Sequence, residues 1–341
     1  MAYTTINKSG DYFNTKLYTG NGSTQSITGV GFQPDWIWNK TRSAVGNHVT
    51  FDAVRGTLKR LKVSTTDAET NSSSVTSFDS DGYTLAGEQN TNGVTYASWN
   101  WLANGAGSAN TDGSISSTVS TNTTSGFSIV KWTGSGATAT IGHGLGSVPK
   151  MIIVKNTQAS ENWIVYHSTL GSSKHLKLNL TDAEATTGGT WNHTNPTANV
   201  FTVHTNTNVN ANGNSMIAYC FAEKQGYSKF GKYIGNGNVD GTFVYTGFKP
   251  AMIIIKKNGA GDNWHIYDNK VNPTNVMDTN LRPNLNDAEI TNANHNLDFV
   301  SNGFKWRTSS NTRQGSGSEV IYMAFAESPL VTSTGIPTTA R

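Results

Sequence analysis

Three Asp-Ala-Glu triplets, at 67–69, 182–184 and 287–289, are the residues best equipped for chemistry. Two carboxylates so close together could work as an acid and base pair or hold a divalent cation. Each triplet follows a side chain suited to capping a helix, Thr66, Thr181 or Asn286, and acids in a first helical turn complement the helix dipole. A one-turn helix or capped loop between strands therefore accounts for the triplets without catalysis. Glycoside hydrolysis needs two acids in different environments, and three equivalent copies offer no such asymmetry.

The other reactive groups read the same way. Phe78-Asp79-Ser80-Asp81-Gly82-Tyr83 resembles the first half of a calcium loop but lacks the third acid and the closing Glu, and its counterpart Phe299 to Phe304 has lost the acids. A hairpin turn explains both. Eight histidines include no His-x-His and no His-Glu-x-x-His, and the glycines around His143 open no helix, so that segment reads as a turn before a core strand. Cys220, the sole cysteine, sits in the apolar run 216–221 and reads as a buried hydrophobe. Catalytic, cofactor and metal residues are therefore expected to be absent.

Nine tryptophans remain, whose exposed rings could stack on sugars. Most occupy matching places, such as Asn162-Trp163 and Asn263-Trp264, which points to core packing. Trp191 and Trp306 lie in irregular Asn/Thr-rich stretches and are the predicted surface rings and ligand contacts.

The elements that would position these groups are repeated. An aromatic-x-Gly-x-Gly turn recurs at Tyr18 to Gly22, Trp132 to Gly136 and Tyr233 to Gly237. Further on in each copy comes a proline (Pro34, Pro149, Pro250) before an apolar run, then the Asp-Ala-Glu triplet. An aromatic strand closes each copy (Trp99 and Trp101, Tyr219 and Phe221, Tyr322 and Phe325). Four landmarks in one order, three times, mark internal duplication. Units of about 100 residues exceed a solenoid repeat, so each is expected to fold around its own core.

Periods of two, apolar runs of four to six residues and Asn-Gly pairs at 21–22, 92–93, 212–213, 236–237 and 302–303 point to strands and tight hairpins. The expected fold is all-β: three tandem antiparallel β-sandwich domains, jelly-roll-like in size. Boundaries fall at an N-terminal arm 1–11, repeats 12–103, 126–223 and 224–327, a Gly/Ser/Thr linker 104–125 that is flexible or lies extended on a neighbour, and a tail 328–341. Charged residues make up 14% and the net charge is +3, with no basic stripe, so nucleic acid is not an expected partner. No run approaches about 18 apolar residues and the first residues lack a charged start and apolar stretch, so neither membrane insertion nor a signal peptide is predicted.

Taken together, Tyr12 to Gly22, Gly31 to Trp38, Asp52 to Gly56, Phe78 to Tyr83, and Tyr322 to Glu327 through Arg341 resemble a repeat unit of tailed-bacteriophage structural proteins, notably those of marine phages. The resemblance covers nearly the whole chain. It implies a non-enzymatic virion-surface protein with lectin-like sandwiches, tail-fibre-like and used for attachment to host-surface glycans. Decoration of the capsid or tail exterior is the alternative, with the arms 1–11, 104–125 and 328–341 lying across neighbours; a glycan-active extracellular enzyme is a third. Expected partners are other virion proteins and further copies of the chain in a symmetric homo-oligomer. No coiled coil or collagen-like rod of a typical fibre is present.

Overall fold

The computed structural model describes residues 2–339. Met1 of the expected arm and Ala340 and Arg341 of the expected tail lie outside the described residues. The chain is all-β, in antiparallel sheets; its α-helices, Gly188–Trp191, Thr207–Asn210 and Asn311–Gln314, are single turns.

Each repeat builds one large sheet on the same plan. Its first strand pairs with its last, and the last pairs with the strand near the proline: Phe13–Thr19, Thr95–Trp101 and Trp36–Thr41 in the first repeat. Phe127–Thr133, Ser215–Phe221 and Met151–Asn156 do the same in the second, and Ser228–Ile234, Glu319–Pro329 and Phe248–Lys257 in the third. Smaller sheets, such as Phe243–Tyr245 with Gly303–Trp306 and Leu297–Val300, pack on the outer faces of the large ones. No sheet among the described residues mixes strands from two repeats.

Successive side chains of a strand face opposite ways, and here the two faces serve different cores. Met151 and Ile153 enter one cluster while Ile152 and Val154 enter another; Met252 and Ile254 divide from Ile253 and Ile255 likewise. Trp36 and Trp38 divide in the same way from Ile37. The outer clusters belong to single repeats. The inner cluster is common to all three and holds six of the tryptophans. Trp36 stacks on Tyr219 at 4.1 Å between ring centroids and Phe13 on Phe325 at 4.9 Å, so rings from different repeats touch directly. Each repeat thus has a core of its own and shares a further one that was not expected: a post-proline strand apolar on both faces needs two dry environments, and the second is supplied by the other repeats.

The Gly-x-Gly turns are steric necessities. Gly20, Gly134 and Gly235 donate their N–H to Val94, Asn214 and Ser318 at 2.8, 2.8 and 2.9 Å, and a Cβ on any of them would collide with the backbone carbonyl of Thr91, Ala211 or Gly315. The second glycines, Gly22, Gly136 and Gly237, have φ of 73°, 68° and 68°, a region L-residues rarely adopt.

The segment 104–125 is no flexible linker. Ser108–Asn110 and Ser117–Asn122 extend the second repeat's large sheet beyond Phe127–Thr133, with Val119 buried opposite Val130. The neighbour on which this extended arm lies is the next repeat of the same chain. The N-terminal arm and the tail also pack at home. Thr4 donates to the Gln225 carbonyl at 2.7 Å and Leu330 N–H to Gly247 at 3.3 Å, and Asn7 and Ser333 exchange two hydrogen bonds of 2.7 Å. Among the described residues, no helix is long and apolar enough to cross a membrane.

Candidate functional site

The Asp-Ala-Glu segments lie at the seams between repeats. No helix forms there; the extended segment of one repeat clips onto the next. Glu69 N–H donates to the Thr157 carbonyl at 2.8 Å, Glu184 N–H to Asn258 at 2.7 Å and Glu289 N–H to Arg42 at 2.8 Å. Thr157, Asn258 and Arg42 are equivalent positions, so the first repeat holds the second, the second the third and the third the first. Indoles repeat the cycle: Trp163 Nε1 donates to the Lys62 carbonyl and Trp264 Nε1 to that of Lys177, both at 2.9 Å. In the first repeat His48 takes the tryptophan's place, next to the backbone of Arg282. Its Nδ1 accepts from Trp38 Nε1 at 3.0 Å, which leaves the proton of the neutral ring on Nε2.

Three lysines at equivalent positions, Lys40, Lys155 and Lys256, are fully buried behind these seams. Lys155 Nζ donates to the carbonyls of Thr66, Ala159 and Glu161, and Lys256 Nζ to those of Thr181, Lys257 and Ala260. Burial pulls each ammonium down to a pKa of about 8, against the pull of nearby carboxylates. A third set is equivalent in the same sense. Asp52 accepts from Tyr219 OH at 2.8 Å, Asp268 from Thr15 and Trp99 at 2.7 and 3.0 Å, and His167 Nε2 lies 3.2 Å from the Tyr322 carbonyl. Every one of these contacts joins two repeats. Burial holds His167 down to about 4 and raises Asp268.

The remaining sequence candidates fall into framework roles. The calcium-like segment is the hairpin between Val75–Asp79 and Gly82–Leu85, where Asp81 accepts from Gly29 and Gly31 N–H at 2.8 and 2.7 Å. His143 is buried in a turn, its Nδ1 accepting from Leu145 N–H at 3.2 Å, and burial raises the Cys220 thiol. Trp191 and Trp306 are only 2% and 0% exposed, which overturns their reading as surface rings. Trp191 packs edge-on to Tyr166, and Trp306 packs against Tyr233 and Tyr267. Their polar sequence neighbours form turns and caps while the indoles fill the outer cores. All nine tryptophans are buried.

The rings that do reach solvent are elsewhere. Strand Phe243–Tyr245 alternates exposed, buried, exposed: Val244 enters the third outer core, while Phe243 and Tyr245 are 44% and 53% exposed on the other face. Tyr3 from the N-terminal arm donates to the Gly247 carbonyl at 2.6 Å, and its hydroxyl is 3.5 Å from that of Tyr245. Burial, with Tyr245 beside it, raises the Tyr3 phenol. A cleft of about 300 Å³ adjoins these rings, lined by Tyr3, Tyr245 and polar groups including Glu223, Gln225, Ser228 and Lys229.

Residues 8–329 match one family model, described as a domain of unknown function, DUF7483. The chain belongs to the DUF7483 family. No curated protein and no solved structure matches it. The DUF7483 match runs through all three repeats and the segment between the first two, so it takes in the whole ring of seams. Tyr3 lies ahead of the matched span.

Sequence reading missed Phe243, Tyr245 and Tyr3 because it weighed tryptophans alone. The signal was in the repeat. Flanking Ile27, the equivalent of Val244, the first repeat has Ser26 and Thr28; the second has Thr140 and Gly142 around Ile141. Aromatics replace small residues at these two positions in one copy only.

Proposed function

We propose that this DUF7483 chain is a non-enzymatic structural protein of a phage virion surface, tail-fibre-like, that attaches to host-surface glycans. In this reading each repeat is one lectin-like sandwich domain, three in tandem, and copies of the chain assemble with other virion proteins as a symmetric homo-oligomer. The observation that carries it is where the reactive groups go: the backbone of each acidic segment, the Lys155 and Lys256 ammonium groups and the Trp163 and Trp264 indoles hydrogen-bond across the seams that join the repeats. That favours a scaffold presenting a surface over a site that turns over substrate. The resemblance of the repeat motifs to phage structural proteins supports the location.

Exterior decoration of the capsid or tail is the competing reading. It relied on arms lying across neighbours, and it is weakened because the N-terminal arm, the start of the tail and the connecting segment pack on their own chain. Antibody raised against the chain and applied to intact particles, viewed by negative-stain electron microscopy, tests the proposal. Label at the tail tip is expected; label over the head would replace attachment by decoration, and unlabelled particles would remove the virion reading.

A further inference from the structure

Copying a unit supplies symmetry, so a functional site in a triplicated fold should lie where one copy departs from the others without a folding reason. The strand Phe243–Tyr245 is such a place. Its core residue Val244 matches Ile27 and Ile141 in role, whereas Phe243 and Tyr245 contribute half-exposed rings that no core requires. Two aromatic rings side by side on a sheet face, bordered by polar groups, have the make-up of a contact surface. The N-terminal arm adds Tyr3 to the same spot, and the adjoining cleft is polar, with the Lys229–Glu223 pair at 2.8 Å on its wall.

We propose that Tyr245, Phe243 and Tyr3 with the cleft beside them form a carbohydrate-binding site, in which a sugar ring lies on the aromatic face and its hydroxyls exchange hydrogen bonds with the cleft's carboxylate, amide and ammonium groups. The assignment rests on the attachment reading above and names the surface that performs it. Sugars are unusual in presenting an apolar C–H face and many hydroxyls together, which matches rings bordered by mixed donors and acceptors. Size supports the choice over a protein partner. Two half-exposed rings offer roughly 200 Å², whereas a stable protein interface covers about 800 Å² per partner.

The test uses the intact chain against an immobilised panel of neutral hexose, N-acetylhexosamine and hexuronate oligosaccharides. The double substitution F243S/Y245T installs the residues that the first repeat carries at these positions, and Q225A alters the cleft wall. The wild-type chain is expected to bind at least one sugar class. F243S/Y245T is expected to lose tenfold or more with unchanged thermal unfolding, and Q225A to weaken the same class. No binding by the wild type, or equal binding by both variants, overturns the site. Concentration-dependent dimerisation that F243S/Y245T abolishes, without sugar binding, would assign the face to self-association and also overturn it. Particle labelling does not depend on these rings. Labelled virions without sugar binding therefore sink this site alone, and sugar binding with unlabelled virions sinks the virion reading alone.

Discussion

Arg42 and Glu289 stand 247 positions apart and form a two-pronged ion pair, Nε to Oε2 at 2.7 Å and Nη2 to Oε1 at 3.2 Å. The pair sits where the third repeat clips onto the first, the one seam that local chain connectivity does not help to form. Elsewhere the corresponding contacts join repeats that follow one another.

Substituting either partner is therefore expected to cost about 1–3 kcal/mol, since the pair is charge-assisted, bidentate and mostly shielded from solvent. Urea denaturation of R42A, E289A and the double variant would measure it through a double-mutant cycle. A coupling near zero would mean that the backbone bond from Glu289 N–H and the Asp268 contacts with Thr15 and Trp99 hold this seam without the ion pair.

The buried lysines give stability a pH dependence of known sign. Their folded-state pKa of about 8 lies below the ordinary 10.5, so between those values the unfolded chain binds more protons and stability rises with pH. Below pH 8 the cost of three buried charges is fully present. The urea midpoint should be higher at pH 9.5 than at 7.5, by a smaller margin in K155M. Staying below pH 10 avoids the buried tyrosines, such as Tyr219, whose raised pKa works the other way. A flat profile would show the lysines fully accommodated as cations.

His48 breaks the tryptophan pattern because its surroundings are larger. Trp38 and Trp99 stand where the second repeat has Ile153 and Tyr219, and the His48 ring lies nearly parallel to Trp99 at 6.2 Å. H48W should overpack this corner and destabilise by about 1–3 kcal/mol, and W38I in the same chain should recover part of the loss. Calorimetry of the single and double variants would decide it. H48W with wild-type stability would remove the volume argument.

Gly134→Ala should destabilise by about 2 kcal/mol or more, as overpacking against a fixed backbone does. Gly10→Ala, where nothing lies within 4 Å of the added methyl, serves as a control expected to be neutral. Denaturation midpoints of the two variants make the comparison.

Much of this architecture is visible in the residues themselves. The Gly-x-Gly turns, the Asn-Gly hairpins and the four-residue apolar runs mark strands and their ends, because local sterics alone decide them. The runs around Ile152 and Ile253 also say that both faces are dry. They do not say what dries them, since a shared core and two private ones impose the same period-two pattern. Trp191 and Trp306 were misplaced for a related reason: polar neighbours in sequence report the backbone's turns, whereas burial of an indole is settled by residues far along the chain. The aromatic strand at 243–245 becomes visible only when the three copies are compared position by position and the exception is taken as the message.

Asn7 and Ser333 meet on the third repeat, and the three seams run in a circle. The order in which the repeats are written along the polypeptide is therefore a matter of where the circle is cut. Joining the two ends through a short linker and opening the chain in the joint at Lys224 to Gly226 would give a circular permutant that begins with the third repeat and ends with the second, with every seam kept.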